Sequence, residues 1–153
     1  MFQRKQRLQK LIDHRAKEVD DRMAKLARAR IQEGQARQLV EREEAQLARA
    51  RSERAQAVSR PFEVRNLTLN NDWMVSCAMR ADLARQVLQK AQHGVSAAQT
   101  AVVAAKNELR KLELIFQRIA GEERVRAERA EQRLTDEFAA LRVAEVEKRR
   151  GEI

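Results

Sequence analysis

One proline interrupts this chain of 153 residues, and it is the feature that most limits the fold. Pro61 cannot sit inside a helix without removing a hydrogen bond, and it turns the preceding Arg60 away from helical geometry. On either side of it the sequence reads as helix without a second break. Only four glycines occur, all isolated. Two long helical runs joined by one short break predict an antiparallel two-helix hairpin, an all-α fold. The expected boundaries are a helix over 2–58, a loop over 59–72 and a longer helix over 73–148, forming one coiled-coil hairpin across 1–153.

The second run has the more regular seam. Met74, Cys77, Ala81, Ala84, Leu88, Ala91, Val95, Ala98, Val102, Ala105, Leu109, Leu112, Phe116 and Ile119 alternate at spacings of three and four. Such spacing puts them on one face and predicts coiled-coil pairing. From Leu88 to Ala105 a larger residue alternates with alanine, so two backbones can approach closely. Cys77 then reads as a small core residue, and a single cysteine allows no internal disulfide. The first run packs Leu8, Ile12, Ala16, Val19, Met23 and Leu26. It then thins where Arg30, Glu33 and Arg37 take the expected core positions, and recovers at Val40 and Leu47. Leu39 and the alanines at 29, 36, 50 and 57 offer a neighbouring stripe.

The stretch between the runs, SRPFEVRNLTLNND, holds Asn70, Asn71 and Asp72, which are N-cap residue types for the second helix. Its apolar residues Phe62, Val64, Leu67 and Leu69 either fold back over the hairpin end or bind a partner. The pairing register has two solutions one heptad apart: facing residue numbers add to about 128 or to about 135. The first puts Ile12 near Phe116, and the second puts Val19 near Phe116. Gly34 and Gly94 share a level in the first register, where they either soften the hairpin or are simply tolerated.

In both registers Phe2 faces a point between Arg126 and Arg133. The second helix therefore overhangs the first. That overhang carries Leu134, Phe138 and Leu141, out of phase with the seam that ends at Ile119. An unpaired apolar stripe in water is costly, at about 25 cal/mol per Å² of apolar surface, and points to docking or self-association.

Composition excludes several functions. Charged residues make up 36% of the chain and aromatics 3%, too few large side chains for a broad core. No glycine-rich phosphate loop is present. His14 and His93 lack companions at metal-ligand spacing, and carboxylate pairs such as Asp20 with Asp21 and Glu122 with Glu123 lie on helices without a pocket. No catalytic, metal or cofactor site is expected, and no enzyme. No apolar run of about 18 residues exists to span a membrane, and no signal peptide is recognisable, so a cytoplasmic protein is expected. The net charge of +9 leaves nucleic-acid binding open as a rival, as it leaves a generic basic scaffold. Basic and acidic residues intermix, however, and no aromatic platform accompanies them.

Three local features resemble the FliJ family of flagellar export and its injectisome counterpart, the YscO-type proteins. They are LIDHRAKEVDDRMAKLA in the first helix, Asn71-Asp72-Trp73 after the break, and ERAEQRLTDEFAALR over 128–142. The resemblance covers nearly the whole length. It implies the central stalk of a type III export ATPase, with the paired helix ends inserted into the hexameric ring. Carried over by position, the ATPase-docking candidates are Leu8, Ile12, Arg126, Arg133, Leu134, Phe138 and Leu141. Candidates for contact with the export-gate membrane protein are Leu39, Glu43, Gln46, Met79 and Leu83. Export chaperones are further implied partners. No nucleic acid is expected, membrane association runs only through partners, and the stalk reading implies a monomer at the base of the export apparatus. The sequence has no tyrosine, which flagellar members use at the gate contact.

Overall fold

The computed structural model describes residues 2–59 and 64–152. Two helices account for nearly all of them: α1, Phe2–Val58, with 57 residues, and α2, Val64–Gly151, with 88. The fold is an all-α two-helix hairpin with the longer helix second, as the single proline predicts. At the end of α1 the Ser59 hydroxyl donates to the Gln56 carbonyl at 2.8 Å, which satisfies one of the carbonyls that a helix end leaves unpaired. Lys148, Arg149 and Arg150 fill the last turn of α2, where positive charge complements the helix dipole.

The start of α2 corrects the expected boundary. The helix begins at Val64, not at 73, and its end reaches Gly151 instead of 148. Asn70, Asn71 and Asp72 are interior residues, not caps. The reason is packing. Leu67 lies seven residues before Met74, and both are half-buried together with Asn70 and Asn71. A partly covered face offsets the up to about 0.7 kcal/mol apiece by which Thr68, Asn70 and Asn71 disfavour helix. The Thr68 hydroxyl donates to the Val64 carbonyl at 3.1 Å, one turn back. Pro61 and Phe62 lie outside the described residues. Val64 and Leu69, placed in the loop by sequence, are exposed helical residues.

The chain divides into two compact units. In the unit of residues 16–107, Leu47, Ala50, Cys77 and Ala81 form a buried cluster with Met74 and Ala78 against it. Cys77 and Ala81 are fully buried. Across the helices the Arg54 guanidinium donates to the Met74 sulfur at 3.6 Å, and Arg85 donates to Glu44 at 3.0 Å while also holding Asp82 at 2.9 Å. Arg54 with Met74, like Leu47 with Ala81, fits the register whose facing numbers add to about 128.

Strict sevens describe this seam better than a run through Met23, Arg30 and Arg37. Val19, Leu26, Glu33, Val40 and Leu47 are buried or half-buried, as are Ala29, Ala36, Glu43, Ala50 and Ala57. Met23, expected in the core, is exposed, and so are Arg30 and Arg37. Met23 misses the face because the position in phase with Ala29 and Ala36 is Arg22, one residue earlier. Glu33 stays half-buried and accepts from Arg37 at 2.8 Å, an i,i+4 pair.

In the unit of residues 1–15 and 108–153, Leu8, Ile12, Leu109, Leu112, Phe116 and Ile119 are half-buried, and Lys5 pairs with Glu123. That pair also fits the register of about 128.

Leu47→Ala should lower stability by about 2–5 kcal/mol, because it removes a buried side chain from a seam that cannot collapse around the gap. Met23→Ala should change it by no more than about 0.5 kcal/mol. Urea unfolding followed by circular dichroism measures both, and equal losses would show the seam assignment to be wrong.

Candidate partner-docking surfaces

The end of pairing makes the first surface. Glu123 is the last half-buried residue of α2, and every described residue from Arg124 to Glu152 is exposed. The pairing therefore stops near the lower edge of the range that sequence reasoning gave, because Lys5 is the last partner that α1 supplies. Beyond it the helix holds itself together through its own side chains. Arg124 lies 3.7 Å from Glu128, and Gln132 donates to Asp136 at 3.3 Å. Each such i,i+4 pair stabilises an isolated helix by about 0.2–0.5 kcal/mol.

On this self-supporting segment Leu134, Phe138 and Leu141 are 55%, 64% and 63% exposed. At 3.6 residues per turn their spacings of four and three keep them within about 60° of one another. Phe138 borders a shallow depression with Thr135, Ala139 and Arg142. Arg133 is exposed, and Arg126 is exposed but engaged by neighbouring groups. Leu8 and Ile12 are half-buried in the seam of the same unit, so they offer only part of their surface. Val143 and Val146 are also exposed, yet they point well away from the Leu134 face.

A second surface lies in the unit of residues 16–107. Met79 and Leu83 are 62% and 59% exposed. Val75 and Val87, which sequence reasoning passed over, are exposed with them. The four stand at successive steps of four residues, one i±4 ridge on the side of α2 away from the seam. The signal was present in the sequence: apolar residues at positions where a coiled coil places polar ones. Level with the start of the ridge but on another face of α2, the Arg80 guanidinium stacks over Trp73, 5.6 Å from the ring centroid. At the other end Val87 borders an open groove with Ala36, Leu39, Lys90, Ala91 and Gly94.

The remaining candidates of this set separate. Leu39 is half-buried at the groove wall and Gln46 is exposed. Glu43 lies in the seam, half-buried, and one of its carboxylate oxygens is enclosed without a hydrogen-bond partner. The structure thus groups Met79 and Leu83 with Val75 and Val87, and sets Glu43 on the packed side.

Both surfaces offer apolar contact and flanking charge. Among the described residues no three of His, Cys, Asp and Glu gather as a metal site. Among them, too, no helix is long and apolar enough to cross a membrane. A search of curated proteins finds no match. The family described as flagellar FliJ protein matches residues 4–148.

Replacing Leu134, Phe138 and Leu141 together by Ser should move the melting midpoint by no more than about 3 °C, since exposed positions contribute little to folding. Phe116→Ala should lower it well beyond that, by about 2 kcal/mol or more in stability. A large drop from the triple substitution would place the stripe in the folded core.

Proposed function

We propose that this chain, which belongs to the flagellar FliJ family and is thereby a flagellar export protein, serves as the central stalk of the export ATPase. The observation that carries the reading is the Leu134, Phe138 and Leu141 face on a helix that continues past its partner. In this reading the paired ends, residues 2–12 and 119–141, enter the hexameric ring. Leu134, Phe138 and Leu141 meet apolar side chains there, while Arg126 and Arg133 meet carboxylates of the lumen. A basic protein suits an acidic channel because complementary potentials steer association and suppress wrong partners.

The mechanism is allosteric. A stalk that contacts ring subunits differently in their different nucleotide states shifts the balance among those states by the difference in contact energy. It hydrolyses nothing itself. The Val75, Met79, Leu83 and Val87 ridge faces the export-gate membrane protein, with Leu39 at the groove that Val87 borders and the exposed Gln46 as further contacts. Ridges of this spacing pack into the grooves of a partner helix, which would be supplied by the gate protein or by an export chaperone. The stalk works as a monomer on the cytoplasmic side of the membrane-embedded apparatus.

Purified export ATPase should turn over faster, and assemble more fully, with the protein than without it. The triple Ser variant should bind the ATPase at least about 100-fold more weakly, because each lost apolar contact is worth about 1.5–3 kcal/mol when fully buried. Met79→Gln with Leu83→Gln should instead weaken binding to the cytoplasmic part of the gate protein while ATPase stimulation persists. A triple variant that still stimulates the ATPase would overturn the stalk assignment.

A further inference from the structure

Gly34 and Gly94 belong to the same unit, and the register of about 128 sets them at one level, one on each helix. Neither has the usual reasons for glycine. Neither adopts a positive φ, and a Cβ added at either would meet nothing within 4 Å. Each nonetheless destabilises its helix by about 0.8–1.0 kcal/mol relative to alanine. The seam is weak at the same level. Between Leu26 and Val40 the in-phase residues of α1 are Ala29, Glu33 and Ala36, so no large apolar side chain enters for two heptads. On α2 the nearby positions are Ala91 and Ala98, both half-buried, on either side of buried Val95. The open groove bordered by Ala36, Ala91 and Gly94 lies here as well. By contrast, the cluster of Leu47, Ala50, Cys77 and Ala81 closes the seam tightly.

We propose that the Gly34–Gly94 level is a paired hinge, a built-in point where both helices of this unit open together while the flanking seam stays closed. Backbone entropy and thin packing coincide there on both strands of the hairpin. Opening on one helix then removes the small contacts that hold the other, so the two sides yield as one cooperative element. This inference rests on packing within the unit and requires neither docking surface to be occupied, although the groove it uses borders the Val87 end of the second one.

Amide hydrogen exchange on the full chain tests it. In the wild type, amides of 30–38 and 90–98 should exchange at least about tenfold faster than those of 44–52 and 77–85. Gly34→Ala should slow exchange about fivefold in both fast segments, although it changes only α1, and Gly94→Ala should do the same from α2. Filling the seam with Glu33→Leu should slow both segments again. Gly121→Ala, in the other unit, should leave both unchanged. Uniform protection across the wild-type segments would overturn the hinge. So would a Gly34→Ala effect confined to α1, since a mere gain in helix propensity predicts that result.

Discussion

The structure depends on a seam only two residues wide per heptad. Around Cys77 a larger apolar residue packs with small ones, as Leu47 does beside Cys77 and Ala81. Small residues let the backbones close in, and the contact is completed by dispersion between few atoms rather than by a broad core. Ten hydrophobic residues are buried among those described, five on each helix, and the cluster around Cys77 is the tightest part. With so little interior, the chain presents mainly faces and ends to partners.

A seam of this kind is sensitive to polar intrusion. Glu43 and Glu33 occupy in-phase positions that an idealised coiled coil would give to Leu or Val. Glu43 leaves one carboxylate oxygen enclosed without a partner, a destabilising arrangement. Glu33 avoids that by bonding Arg37 on its own helix. Such residues lower the stability of one stretch without breaking the fold, because the layers on either side remain apolar. Cross-helix charge pairs add little by comparison. Arg85 with Glu44 is half exposed, where such a pair is worth about 0–1 kcal/mol. Its value lies more in agreeing with the apolar layers about alignment.

The boundary between folding and binding follows from where α1 runs out. Up to Glu123, the seam residues of α2 from Met74 to Ile119 are buried or half-buried. Past it, coverage ends but helix continues, sustained by charge pairs at i,i+4 and by residues of high helix propensity. A polar helix supported in this way can carry a few apolar residues in water without melting or aggregating. Leu134, Phe138 and Leu141 use that support, which makes them available to a partner from a rigid, preorganised segment.

Much of this was legible in the sequence. Periodicity of apolar residues is local information, and it sufficed for two helices, for the break near Pro61, for most of the α2 seam and for an overhanging stripe at Leu134, Phe138 and Leu141. Other features depend on what lies opposite. Asn70, Asn71 and Asp72 look like caps because local propensity favours caps, yet the helix runs through them from Val64, with Leu67, Asn70, Asn71 and Met74 half-buried along it. Met23 fits a short window of the repeat but falls out of phase with Ala29 and Ala36. The ridge of Val75 and Val87 beside Met79 and Leu83 was visible as a pattern, but its exposure depends on which face α1 covers. Register was undetermined for the same reason. A seven-residue repeat is unchanged by a shift of seven, so both alignments keep apolar residues on the seam. The tertiary structure chooses between them through particular neighbours: Lys5 reaches Glu123, Arg54 reaches Met74, and Leu47 packs with Ala81. A shift of one heptad would break all three and set Ile12 against the charge of Glu123. Sequence by itself determined which residues can form the seam. Only the tertiary structure decided which of them meet, because alignment is a property of the pair and not of either helix.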